Sequence, residues 1–266
     1  MSAVRVGRVG EPERVVSAAV RRRVFLRSFL LQAAWNRRGM QNLGFEYAIA
    51  PALDALYPDP EQRRDAAARH LGFFNSHPYM AAAILGGAIH HEERVARGEE
   101  PPVAPQRYKQ TLQGPLAAIG DGFFWTALRP FFGALAALGA LLFGWPAVVL
   151  AITIYNAIHL ALRIHMFRVG YRQGDAVIGA IAAMSLPSVA ERLRLGTAVL
   201  CGVAAAALLL GGARDVGIVA GGVALATAIA GQVALRLGAS VLTVAYGVLF
   251  VATGAGLLAL RLPGGS

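Results

Sequence analysis

Residues Leu71 to His91 read LGFFNSHPYMAAAILGGAIHH, a stretch apolar enough to enter a membrane yet polar in its first third. No Asp, Glu, Lys or Arg interrupts it, and Glu92 and Glu93 follow at once. Asn75, Ser76, His77 and Pro78 sit inside it. At membrane depth, polar side chains and proline are tolerated only where they line a cavity or pack against other protein. The segment therefore restricts the chain to folds with an interrupted, partly polar membrane element, the design of a transport site.

Composition supports this. The chain is 56% hydrophobic and 15% charged, against about 25% charged residues in a soluble globular domain. Mean hydropathy is +0.52. The 31 glycines suit the close helix contacts of membrane bundles. The net charge of +10 does not indicate nucleic acid, because no stacking platform or recognition motif accompanies it. Basic loops flanking apolar spans account for it. Cys201 lies in an apolar run and is expected to be a buried, inert thiol. The N-terminus lacks an apolar core ending in a small-residue cleavage site, so it is expected to be cytoplasmic.

The expected fold class is an all-α integral membrane protein, with broken or re-entrant helical hairpins followed by regular transmembrane helices. Residues 1–23 form a polar, loosely ordered N-terminal segment. Residues 24–70 hold amphipathic and cytoplasmic helices: Val24, Phe25, Phe29, Leu31 and Trp35 share a helical stripe, and EQRRDAAARH is a charged, exposed helix. Residues 71–175 are the core transport region. Within it, Leu71–His91 is expected to enter and leave by one face, bending at Asn75–Pro78 and at Gly86-Gly87. A single tilted span is the alternative.

Gln110–Leu128 is a second broken segment, opened by Gly114-Pro115 and interrupted at Gly120-Asp121-Gly122. Pro130–Leu162 is too long for one straight span of about 20 residues and too short for two, so it is expected to bend near Gly144-Trp145-Pro146. Residues 176–194 are a connector. Residues 195–266 hold three uncharged scaffold stretches, Leu195–Ala213, Val216–Leu235 and Leu237–Leu260, with Gly217 and Gly221 suited to close helix contact.

Several residues carry candidate chemistry. Asn75 offers donors and an acceptor to a polar ligand, and His77 can do either. The structural alternative for this block is a helix N-cap at Asn75 or Ser76, with Pro78 in the first turn. Asp121 is the only acidic residue from Gln110 through Gln173. A carboxylate at membrane depth needs a ligand or a partner, and Arg129 is the candidate partner. Trp125 and Trp35 could stack on a ligand ring or anchor at the interface. Gln32 and Asn36 lie four apart and therefore on one helix face, a pairing that fits hydroxyl recognition if residues 25–45 enter the core. His90-His91-Glu92-Glu93 has the composition of a metal cluster but not the spacing of H-E-x-x-H, and reads as a solvated helix end. His159 and His165 do not share a close face.

Three blocks carry a resemblance: FLRSFLLQAAWNRRGMQNLGF at 25–45, RHLGFFNSHPYMAAAILGGAIHHEE at 69–93, and GPLAAIGDGFFWTALRP at 114–130, continuing to GYRQG at 170–174. In content and order they resemble the IID subunit of the mannose-fructose-sorbose family of the bacterial sugar phosphotransferase system. From Asp175 onward only hydropathy resembles that family. The resemblance implies a multi-pass protein of the bacterial cytoplasmic (inner) membrane that forms with a IIC subunit the pathway for a hexose. It also implies uptake coupled to phosphorylation by cytoplasmic IIA and IIB phosphocarriers, and a trimer of IIC–IID pairs. The IID subunit is expected to carry no phosphohistidine, catalytic residue, metal or cofactor of its own. Asn75, Asp121, Gln32, Asn36, His77 and Trp125 are the substrate-site candidates. Competing readings are a regulatory membrane subunit without transport and a self-sufficient secondary transporter.

Overall fold

The computed structural model describes residues 15–215, 218–238, 240, 243–244, 246–248 and 250–251. Its described regular elements are all helical. The chain divides into two compact units, residues 1–198 and 199–266.

In the first unit, α1 (Ala18–Arg27), α2 (Asn42–Leu56), α3 (Pro60–His70) and α4 (Ala81–Ala96) are followed by α5 (Ala104–Gly120). A π-helical segment, Asp121–Leu128, joins α5 to α6 (Arg129–Phe143). Then come α7 (Trp145–Gln173), α8 (Val177–Ala183) and α9 (Leu186–Asp215). In the second unit, α10 (Ile218–Arg236) follows the end of α9, and the described side chains are exposed or half-buried.

Helix α4 is the centre of the first unit. Every residue from Ala81 to Ile89 is buried, the mark of a helix apolar all round and enclosed by others. Its small residues let α7 approach: a Cβ on Gly86 would meet the Phe167 carbonyl at 2.2 Å, and one on Gly170 would meet that of Ala83 at 2.1 Å. On another side, Tyr108 of α5 packs on Gly87 and donates its hydroxyl to the Ala83 carbonyl at 3.3 Å.

This corrects the expectation of a bend at Gly86-Gly87. The glycines are contact surface within an unbroken helix, and the residues up to Met80 are the irregular part. Nor do Asn75 or Ser76 cap α4: its N-cap is Met80, without a side-chain bond, and Ala81 donates instead to the His77 carbonyl at 2.8 Å.

Gly114-Pro115 does not open a new segment but lies inside α5, and the interruption expected at Gly120-Asp121-Gly122 is a change to π-helix rather than a break. α5, the π-helical segment and α6 form one helical stretch, Ala104–Phe143. It turns back at Gly144, whose φ of 74° and ψ of −164° suit glycine, and α7 packs against α6. The bend expected in Pro130–Leu162 is this hairpin. Ala104–Phe143 and Trp145–Leu208 are each long and apolar enough to cross a membrane, and their most apolar windows are only 17% and 11% buried within the chain. Such surface requires lipid or another protein against it.

Other boundaries moved for local reasons. Ser17 caps α1 by accepting from the Val20 N–H, and Val16 is fully buried with its N–H on Glu93 Oε1 at 2.7 Å. The end of the N-terminal segment is therefore docked. α1 stops at Arg27, with one 3-10 turn to Leu30, well short of Trp35. Arg163 Nη2 donates to the Ser28 carbonyl at 2.6 Å, the group a continuing helix would offer to Gln32. Phe29 and Trp35 are exposed. The connector is helical, with α9 beginning at Leu186. Cys201 is exposed on the chain rather than buried. Gly217 and much of Leu237–Leu260 lie outside the described residues.

Candidate functional site

Three pieces of backbone meet around His77. The first is the irregular segment Phe74–Met80. It is held by the loop Asn36–Gln41: Gln41 N–H donates to the Phe74 carbonyl at 2.8 Å and Phe74 N–H to the Gly39 carbonyl at 3.2 Å. The buried Gln41 side chain completes the join. Its Nε2 donates to the Ser76 carbonyl at 2.9 Å and its Oε1 accepts from the Ser76 N–H at 3.1 Å. The polar segment is thus fixed without a helix.

The second piece is the π-helical segment. Its wider turn buries Phe123, Phe124, Ala127 and Leu128 while Asp121, Trp125 and Thr126 face outward. Single π turns inside α-helices are frequent at functional sites. The third piece is α7, which brings Tyr155, His159 and Arg163 along one face at successive i, i+4 steps.

Their side chains form a continuous aromatic-polar cluster. His77 lies stacked on Phe124 at 4.8 Å and tilted against Trp125 at 4.9 Å. Tyr79 stacks on His159 at 4.4 Å and meets Phe124 edge-on at 4.9 Å. The Arg163 guanidinium lies 4.1 Å from the Phe29 ring centre and 5.9 Å from that of Tyr79.

Among the described residues, three buried polar atoms here have no partner: Ser76 Oγ, His77 Nε2 and Arg163 Nε. Buried polar atoms are normally paired, so their concentration marks the cluster out. Because His77 Nδ1 accepts from the Tyr79 N–H at 3.2 Å, the neutral ring carries its proton on Nε2. That nitrogen is a donor without an acceptor.

The predicted residues fall into three places. His77 is in the cluster, 2% exposed. Trp125 packs on His77 at 4.9 Å and is exposed on the chain; Asn75 and Asp121, near His77 and Gly120 in sequence, are exposed as well. Asn75 is anchored through its backbone N–H to Gln113 Oε1 at 3.0 Å. Arg129 does not pair with Asp121; its guanidinium lies over the Trp125 ring at 5.3 Å. Gln32 and Asn36 belong elsewhere. With α1 ended, they share no helical face, and Gln32 is exposed in a turn. Asn36 is structural: its Oδ1 accepts from the N–H groups of Arg38 and Gly39 and its Nδ2 donates to Asn42 Oδ1.

Sequence reasoning missed Gln41, Tyr79, Phe124, His159 and Arg163. The i, i+4 spacing of His159 and Arg163 was a legible signal; comparing His159 only with His165 hid it. Gln41 lies outside any regular element and left no periodicity to find.

The expected solvated end at His90–Glu93 is instead buried. Glu92 accepts from Tyr57 Oη at 2.6 Å and Arg69 Nη1 at 3.0 Å, and His70 Nε2 lies 2.8 Å away. Burial pushes the His70 imidazole down to about 4, so the ring is neutral and donates from Nε2. Burial alone would raise Glu92, but the His70 hydrogen bond, with Arg69 and Tyr57, holds it below the usual carboxylate range. Lys109 Nζ closes the group by donating to the His70 carbonyl at 3.1 Å. Glu93 accepts from Tyr171 Oη at 2.8 Å, and His91 Nδ1 meets Glu100 at 2.7 Å. These pairs brace α4 against α3, α5 and α7. Among the described residues, no group of three or more His, Cys, Asp or Glu could hold a metal ion.

Residues 15–211 match the family described as PTS system mannose/fructose/sorbose family IID component. The PTS system mannose-specific EIID component of Escherichia coli K12 is 42% identical over 159 residues, 59% of this chain and 56% of that protein. The fructose permease IID component of Bacillus subtilis is 32% identical over 169 residues, 63% of this chain and 62% of that one. The matched stretch thus spans little more than half the length of these curated relatives. A solved structure titled as the mannose transporter ManYZ with microcin E492 contains a chain 30% identical to this one. It covers 94% of this chain and 98% of its own length, with a TM-score of 0.58. A second, titled only as a membrane protein, is 31% identical, covers 91% and 97%, and has a TM-score of 0.70.

Proposed function

The chain belongs to the mannose/fructose/sorbose family of PTS IID components, and from that premise we propose that it is the IID half of a sugar permease. It pairs with a IIC subunit in the bacterial inner membrane as a multi-pass protein. Together they take up a mannose-type hexose coupled to phosphorylation through IIA and IIB, as a trimer of pairs.

The observation that carries this reading is the His77 cluster: unpartnered buried polar atoms beside the exposed Trp125, with Asn75 and Asp121 exposed as well. Aromatic rings with convergent hydrogen-bonding groups suit a sugar, whose apolar face stacks and whose hydroxyls donate and accept. Trp125 is exposed on the isolated chain, so a second surface must complete the site. A IIC partner supplies that surface, and a carboxylate such as Asp121 becomes functional once enclosed.

The test is reconstitution in cells lacking their own mannose-family permease. Phosphorylated hexose should accumulate only when this chain, its IIC partner and the IIA and IIB proteins are all present. Uptake by this chain alone without a phosphoryl donor would identify a self-sufficient transporter. An assembled complex that binds no hexose would identify a regulatory subunit.

A further inference from the structure

A groove of about 500 Å³ runs along the first unit between α1 and α7; it shares no lining residue with the His77 cluster but adjoins it where Phe25 meets Phe29 at 5.5 Å. Each helix contributes a stripe at i, i+3, i+4, i+7, i+8 spacing: from Ala18 to Leu26 on α1, and from Ile164 to Arg172 on α7. The two stripes run in opposite directions. Arg21 meets Tyr171, with its Nη1 3.1 Å from the hydroxyl and its guanidinium 4.4 Å from the ring centre. Phe25 meets Phe167 at 5.5 Å.

The antiparallel register sorts polarity along the groove. One end gathers Arg21, Arg22, Arg168 and Arg172; the other holds Phe25, Leu26, Ile164 and Phe167. No carboxylate lines it. Arg22, Arg168 and Arg172 are exposed and form no ion pair among the described residues. Arg21 is committed inward, bonding the Val16 carbonyl as well as Tyr171.

We propose that this groove holds an anionic phospholipid, its phosphate headgroup on Arg22, Arg168 and Arg172 and an acyl chain along Phe25, Leu26, Ile164 and Phe167. An amphiphile with one anionic end is the ligand whose polarity matches a groove basic at one end and apolar at the other. Guanidinium groups bind phosphate oxygens in bidentate fashion, and basic residues at the membrane surface attract anionic lipid. The site also accounts for Arg21 and Arg22 standing one turn before Phe25 and Leu26 on α1: the arginines mark headgroup depth.

The test uses the full chain in nanodiscs of equal phosphatidylglycerol and phosphatidylcholine, followed by native mass spectrometry of retained lipid. The wild type should retain phosphatidylglycerol preferentially. Preference should fall about fivefold for each of Arg22→Gln, Arg168→Gln and Arg172→Gln and persist in the triple lysine variant. Leu26→Trp, at an exposed position, should block retention of both lipids without altering charge. Equal retention of both lipids by the wild type, or an unchanged preference in the triple glutamine variant, overturns the proposal. So does a groove filled by a second protein copy, read as Arg168→Cys cross-linking between chains with no lipid retained.

Discussion

His77 lies flat on Phe124, ring centres 4.8 Å apart and planes 14° from parallel. That stacking joins the irregular Phe74–Met80 segment to the π-helical turn, and it depends on the bare backbone at Gly120. A Cβ there would meet His77 Cβ at 2.3 Å and Met80 at 2.9 Å. Gly120→Ala should therefore displace the His77 ring at a cost of about 1–3 kcal/mol. Thermal unfolding in detergent should show the loss, and hexose uptake should fall with it. Gly114→Ala is the matched control: it adds a methyl into open space on the same helix and should stabilise by up to about 1 kcal/mol.

The Gln41 side chain reaches the site through Ser76, where both ends of its amide hold that residue's backbone. Gln41→Ala leaves a buried carbonyl and N–H unpaired, at about 1–3 kcal/mol for each group. Hydrogen exchange should speed up in residues 72–80, and the affinity for hexose should weaken although no sugar contact is removed.

Acid should loosen the packing around Glu92. A His70 ring held near 4 in the fold, against 6.5 when free, means that the unfolded chain binds more protons between those values. Stability is therefore greatest above pH 6.5 and falls as the pH drops towards 4, by at most roughly 3 kcal/mol. The depressed Glu92 carboxyl adds to the loss below its ordinary value of 4.5. Melting temperature measured against pH should show this acid limb, and His70→Gln should flatten its upper part.

The α4–α7 contact makes a sharper demand. Gly86→Ala and Gly170→Ala each drive a methyl into a backbone carbonyl at 2.2 and 2.1 Å. Backbone cannot yield as a flexible side chain can, so each should destabilise by about 1–3 kcal/mol or more. Thermal unfolding checks this directly.

The sequence made the hydrophobic design legible because apolar length and the lack of charge leave little choice of environment. The hairpin at Gly144 was visible for the same reason. What stayed hidden was which polar residues turn inward. Asn75-Ser76-His77-Pro78 read as one polar block, but Gln41 pins the Ser76 backbone and Phe124 stacks on His77, so these two are buried and Asn75 is left outside. Glycines read as bends proved to be contacts, since a glycine in a helix signals either. Gln32 and Asn36 were paired on a helix that ends before them, at Arg27. Glu92 looked solvated because its partners come from α2 and α3 and from no neighbouring turn.

The central claim is that the His77–Trp125 surface is one wall of a sugar path. It is tested most directly by the initial rate of hexose uptake in the complete IIC–IID–phosphocarrier system with Trp125→Ala, and with Trp35→Ala, also exposed on the chain, as the control. Loss of a stacking ring worth about 1 kcal/mol should slow Trp125→Ala by about fivefold or more, while Trp35→Ala transports at the wild-type rate. Wild-type uptake by Trp125→Ala and by His77→Ala, with both proteins present in the membrane at normal levels, would contradict the account.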